Sequence, residues 1–127
     1  MADRMALLDL VNRYQDAWTA RDFDTASELV ADDIVFRSPQ QHIAGAAEFF
    51  TMLRGFATRV APRWELVSAT ESEDQILILY HLFSEVGDPL ACADHFQVRD
   101  GKIVSETLVF DGQAFAAAAA RRTTAQS

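Results

Sequence analysis

Leu7, Val11, Tyr14 and Trp18 recur at steps of four, three and four residues, while Asp9, Arg13 and Asp16 fall on other sides of the same turn pattern. That spacing predicts an amphipathic helix from about Met5 to Ala20. Ala20-Arg21-Asp22 interrupts it, and Asp22 is placed to accept hydrogen bonds from the free amides of a second, short helix carrying Phe23, Ala26, Leu29 and Val30. This helix is expected to stop at Ala31-Asp32-Asp33. Ile34-Val35-Phe36-Arg37-Ser38 is β-branched and aromatic and closes on Pro39, which predicts a short strand ending in a turn. Phe49, Leu53, Phe56 and Val60 again step by four, three and four, between Gly45 and Pro62, and predict a third helix.

Beyond Pro62 the period changes to two. Trp64, Leu66 and Val67 lead to a polar turn ending at Asp74, and Gln75 to Val86 reads as a long strand. Gly87-Asp88-Pro89 forms a turn, Leu90 to Val98 a strand, Arg99-Asp100-Gly101 another turn, and Lys102 to Phe110 a last strand. The order is helix, helix, strand, helix and four strands in a meander, an α+β arrangement with an antiparallel sheet wrapped against N-terminal helices. The Ala116 to Ala120 run extends a terminal helix, and Arg121 to Ser127 is expected to be a mobile tail. Residues 1–120 are thus assigned to one domain and 121–127 to its tail.

Half of the 127 residues are hydrophobic, which suits one domain with a real core. The formal net charge is -8, and no basic cluster exceeds Arg121-Arg122, so neither nucleic acid nor an anionic membrane surface is an expected partner. No stretch reads as a signal peptide or a membrane span, which points to a cytoplasmic protein. The single Cys92 forms no internal disulfide, and His42, His81 and His95 show no metal-ligand spacing. No metal or cofactor is expected.

The chemistry concentrates on Leu90-Ala91-Cys92-Ala93-Asp94-His95-Phe96-Gln97-Val98. Strand alternation groups Asp94 with Leu90, Cys92, Phe96 and Val98, an apolar company in which an unpaired carboxylate is costly. His95 lies on the other face with Ala91, Ala93 and Gln97. An even-numbered turn centred on Gly87 and Asp88 sets Asp94 opposite His81 and brings Leu79, Phe83 and Glu85 to its face; an odd connection turns Tyr80 and Leu82 inward instead. Pro89 cannot give the closing hydrogen bond of a two-residue hairpin. On the last strand Glu106, Leu108 and Phe110 share one face, making Glu106 a candidate second interior acid. Trp18, Phe36, Phe56, Phe83, Phe96 and Phe110 are core material that also suits a planar, apolar ligand.

Three stretches carry a resemblance: Asn12 to Trp18 with Arg21 to Asp24 and Leu29 to Ile34; Ala93-Asp94-His95-Phe96; and Gly101 to Ser105. Over Leu7 to Asp111 the chain resembles the nuclear-transport-factor-2-like superfamily of cone-shaped α+β barrels, within it the ketosteroid isomerase and SnoaL-like polyketide cyclase branches. The resemblance implies a cone-shaped curved sheet holding a hydrophobic carbonyl-bearing ligand. It also implies that Tyr14 and a protonated Asp94 donate to a developing oxyanion, and that the protein is a homodimer. The isomerases' base, an aspartate before a proline, is matched by Ser38, and a neutral serine cannot take a proton from carbon. A replacement base is then sought in His81, Glu106 or His42. Two functions follow: an isomerase- or cyclase-type proton-transfer enzyme, with Asp94, Tyr14, His81 and Glu106 as catalytic candidates and Ser38 with the aromatic residues binding substrate; or a non-catalytic ligand-binding or dimerisation module.

Overall fold

The computed structural model describes residues 6–85 and 88–113. The Ala116 to Ala120 helix, the 121–127 tail and Gly87 of the proposed turn lie outside these residues. Helix α1 spans Leu7–Thr19 and buries Leu7, Leu10, Val11, Tyr14, Gln15, Ala17 and Trp18 on one side. Asp22 caps α2 (Phe23–Glu28), its carboxylate accepting from the Thr25 amide at 3.2 Å. The second helix ends earlier than its apolar spacing predicts. The Leu29 carbonyl is taken by the Ile103 amide at 2.8 Å, and Val30 pairs with Ile103, so the chain leaves the helix to join the sheet.

Strand β1 accordingly runs from Val30 to Arg37, longer than expected, and absorbs the Asp32-Asp33 pair on an exposed irregular stretch. A tight turn, closed by Ser38 N–H donating to the Gln41 carbonyl at 2.9 Å, leads to β2 (His42–Ala44), a strand the sequence pattern does not predict. Three residues are too few to show a period of two. Helix α3 (Ala46–Val60) follows, then β3 (Arg63–Ser72), β4 (Gln75–Phe83), β5 (Leu90–Arg99) and β6 (Lys102–Phe110).

The six strands form one curved, unclosed sheet in the order β2-β1-β6-β5-β4-β3. Every pair is antiparallel except β1 with β6, a correction to the purely antiparallel expectation: β1 docks on the last strand from across the sequence and points the same way. The helices cover the concave side, where the buried side chains of α1, α3 and the strands form one cluster. No helix among the described residues is long and apolar enough to cross a membrane.

The register of β4 on β5 positions everything that follows. Tyr80 pairs with Cys92 and Ile78 with Asp94. The last pair, Leu82 with Leu90, leaves an odd number of residues, 83–89, in the connection, so the even-numbered residues of both strands share the interior face. Ile76, Ile78, Tyr80 and Leu82 are therefore buried, and Leu77 and Leu79 are 48% and 43% exposed. His81 faces away from Asp94, paired with Ala91 instead, and the even-turn register is replaced.

Two glycines make opposite demands on the chain. Gly45 holds φ +96° at the start of α3, where an added Cβ meets nothing within 4 Å, so only the backbone opposes a side chain there. Gly55 sits inside α3, where a Cβ finds ordinary contact with Arg59 at 3.6 Å. Gly45→Ala is expected to lower stability by about 1–3 kcal/mol, and Gly55→Ala to raise it by about 0.5–1 kcal/mol. Urea midpoints of the two variants, moving in opposite directions, check both.

Candidate active site

Between the helices and the concave face lies a cavity of about 80 Å³. Helix α1 contributes Tyr14 and Trp18, α3 contributes Met52, Leu53 and Phe56, and β4, β5 and β6 contribute the inward residues that register selects, including Tyr80, Cys92 and Glu106. Of the aromatic and polar residues expected to touch a ligand, Trp18, Phe36, Ser38, Phe56 and Phe110 line it. Ser38 stands on the rim with Gln40 and Gln41, both exposed.

Two expected ligand contacts lie elsewhere. Phe96 is fully buried behind the cavity, edge-on to Tyr14 at 5.9 Å and 75°. Phe83 shares the outer face with His81, 6.2 Å away, beneath the Arg63 guanidinium at 4.6 Å. The odd connection moved both Phe83 and His81 out of the interior, because a change of parity in a strand exchanges its faces. His42 is exposed on edge strand β2, and His95 binds the Gln75 side chain at 2.8 Å on the outer face. No histidine reaches the cavity.

Asp94 and Glu106 do come together. Asp94 pairs with Leu108 and Glu106 with Phe96, so the two acids are diagonal neighbours on the interior face of β5 and β6, where side chains come within reach of one another. Asp94 is 1% and Glu106 4% exposed. Each has a tyrosine: Tyr14 Oη donates to Glu106 Oε1 at 3.0 Å and Tyr80 Oη to Asp94 Oδ2 at 2.9 Å. Asp94 thus meets neither His81 nor the Tyr14 hydroxyl. Tyr80, which completes the group, is detectable in the sequence only through the odd-connection alternative.

Burial raises the pKa of both acids, and their proximity separates them. Burial first, then the Glu106 charge and the hydrogen bond between the two carboxyls, hold Asp94 well above the usual carboxylate range. Burial pushes Glu106 up to about 7, against the downward pull of hydrogen bonds from Asp94 and Tyr14. Asp94 Oδ1 has no hydrogen-bond partner, and burying it costs less if the carboxyl is neutral. Both carboxyls therefore keep their protons to higher pH than free carboxyls do, Asp94 well above its ordinary range and Glu106 to about 7. Burial also raises both tyrosines well above their ordinary value and pushes the Cys92 thiol up to about 12, so neither phenolate nor thiolate is at hand. Among the described residues no group of three or more His, Cys, Asp or Glu side chains is arranged to hold a metal ion.

The chain belongs to the SnoaL-like domain family, whose model matches residues 11–106. Its fold is that of the nuclear-transport-factor-2-like proteins. A protein from Kribbella flavida is 32% identical, with 92% of this chain and 96% of that one covered and a TM-score of 0.82. An LEH-like epoxide hydrolase from M. tuberculosis is 22% identical over 93% of this chain and 92% of its own, TM-score 0.75. A candidate polyketide cyclase from Sinorhizobium meliloti is 24% identical over 79% and 93%, TM-score 0.73. At those identities the last two share the fold alone. No curated protein matches the chain.

Because the folded Glu106 holds its proton more tightly than the unfolded chain does, the native state binds more protons between about pH 4.5 and about 7. Stability is fully present below that window and falls as pH rises through it, by on the order of 3 kcal/mol, with Asp94 acting in the same direction. Thermal melts from pH 4.5 to 7.5 are expected to show the fall, and Glu106→Gln to flatten it.

Proposed function

We propose that this protein is a small acid–base enzyme that moves a proton on a carbonyl-bearing, mainly apolar molecule, with Glu106 as the general base. The observation that carries the reading is the buried carboxyl pair whose Glu106 lines the cavity and whose members feel different surroundings; a separation of their proton affinities assigns acid and base roles to chemically similar groups. Glu106 is the member that lines the cavity, and a base near neutral pKa is matched to work near neutral pH.

The hydrogen bonds support a specific sequence of events. Glu106 takes a proton from the carbon beside the ligand carbonyl, the C–H pair flowing into an enolate while the new O–H forms on Glu106. The negative charge passes from Glu106 to the ligand oxygen. Tyr14, which had donated to the carboxylate, then has a weaker acceptor in the neutral acid and turns its hydroxyl to the enolate, so a donor becomes free where charge develops. Returning the proton to another carbon completes an isomerisation. Asp94 remains neutral as the donor that steadies Glu106.

The cavity, at about 80 Å³, is smaller than the roughly 150 Å³ that holds a benzene molecule. It takes the reacting end of a ligand, and a larger body projects past Gln40 and Gln41. A compact probe, cyclohex-3-enone, tests the chemistry: the protein is expected to convert it to the conjugated enone, with an acid limb near pH 7, and Glu106→Gln to lose about 100- to 10,000-fold in kcat/KM. Loss of activity in neither pH nor variant sense would remove Glu106 as the base. Ser38, standing where the resembled isomerases carry their base, favours a second reading, a ligand-binding module without catalysis. Binding of the enone with no conversion and no solvent deuterium exchange selects it.

The outer face supports a homodimer. Leu79, Ala93 and Val109 pair in one row across β4, β5 and β6, with Leu79 43% and Val109 58% exposed, and covering such a row is favourable. Sedimentation is expected to give twice the 14.1 kDa chain mass, and Leu79→Glu to yield the single chain. A buried free thiol at Cys92 fits a reducing, cytoplasmic setting.

A further inference from the structure

Tyr80 stands in the middle of the sheet with 2% of its surface exposed, and its hydroxyl turns inward to a carboxyl rather than outward to water. Its ring is held edge-on by Trp64 at 5.9 Å and 86°, and Trp64 is itself anchored through its indole N–H to Asp16 Oδ1 at 2.8 Å. Across the strands, Tyr80 is diagonal to Asp94 on one side and Glu106 is diagonal to it on the other. Asp94 therefore lies between a hydroxyl that occupies Oδ2 and a second acid, with Oδ1 given no hydrogen-bond partner.

We propose that Tyr80 is a positioning residue: by occupying Oδ2 it leaves Oδ1, the oxygen with no other partner, to carry the Asp94 proton, and so sets the basicity of Glu106 through its diagonal neighbour Asp94. The proposal rests on the reading of Glu106 as the base. A carboxyl that accepts a hydrogen bond on one oxygen becomes a stronger donor from the other, since chained hydrogen bonds polarise one another. The stronger donor favours the Glu106 carboxylate. Without the Tyr80 hydroxyl, Asp94 is free to turn over or to donate less strongly, and Glu106 holds its own proton to higher pH.

Few other groups act on the pair. Tyr14 reaches Glu106 from α1, and Cys92 lies beside Asp94 on β5 as an un-ionised thiol. Phe36 of β1, opposite Glu106, and Met52, Leu53 and Phe56 of α3 carry no charge. Among the described residues the cavity lining contains no Lys, Arg or His. Tyr80 is thus a neutral donor that acts on Glu106 through Asp94.

The test needs no substrate. With ¹³C-labelled glutamate, the Glu106 side-chain carboxyl is followed by NMR against pH, its resonance assigned by loss in Glu106→Gln. Tyr80→Phe is expected to raise the midpoint by about 0.4 to 1 pH unit, and 3-fluorotyrosine at position 80, a more acidic phenol and stronger donor, to lower it. A purely structural Tyr80 would alter the melting temperature and leave the midpoint in place, and that outcome overturns the proposal. If Tyr80→Phe does not fold, the fluorotyrosine protein decides alone: an unmoved midpoint rejects the coupling. Glu106 failing to titrate near neutrality in the native protein would instead reject the reading of Glu106 as the base, so the two failures are distinct.

Discussion

A pair of carboxyl groups sharing a water-poor face of the sheet is the constraint around which the interior of this protein is arranged. Removing a carboxylate from water is expensive unless its charge is neutralised or its lone pairs are satisfied. Here both remedies operate together. Asp94 keeps its proton, and Glu106 receives hydrogen bonds from Asp94 and from Tyr14. The two tyrosines that serve the acids also join parts of the fold: Tyr14 ties α1 to β6 across 92 residues of sequence, and Tyr80 ties β4 to β5. Correct assembly of the site and correct docking of the helix on the sheet are consequently the same event.

The surrounding shell divides its labour by layer. Aromatic rings from α1, β1 and α3 pack in tilted contacts, Trp18 with Phe56 at 6.0 Å and Phe36 with Phe49 at 5.5 Å, within the same interior that buries the acids. Burial is what raises the Glu106 proton affinity to near neutrality, so an apolar interior acts on this acid through the medium it creates. On the convex side Leu77, Leu79 and Val109 stand beside polar residues such as Gln75 and His95, so it is on β4 that the outer face comes near the interior in composition. A strand such as β4, apolar on both faces, leaves local sequence with little to distinguish inside from outside.

Much of the fold was legible because it is governed by neighbours in the chain. Helices α1 and α3 were read from apolar steps of four and three, and the Asp22 cap from a side chain three residues from its amide. The turn at Asp100 and Gly101 was likewise local, both residues adopting positive φ, 54° and 76°. The misreadings occurred where a distant strand outweighed local preference. Leu29 and Val30 have helical spacing but are taken up by Ile103, and β2 exists only because β1 offers it an edge.

The sequence by itself determined that an acid sits among apolar neighbours on β5, that a second acid alternates with Leu108 and Phe110 on β6, and that a tyrosine lies on the buried stripe of the first helix. Those are consequences of periods of 2 and 3.6, which any one element reveals alone. Only the tertiary structure decided which groups meet. Leu77, Leu79 and Phe83 are as apolar as Ile76, Ile78 and Leu82, so hydropathy could not orient β4, and a single residue of connection length chose Tyr80 over His81 as the side chain facing inward. The physical reason is parity: a pleated strand exchanges its faces with a shift of one residue, and where both faces are apolar nothing short of the assembled sheet selects between them.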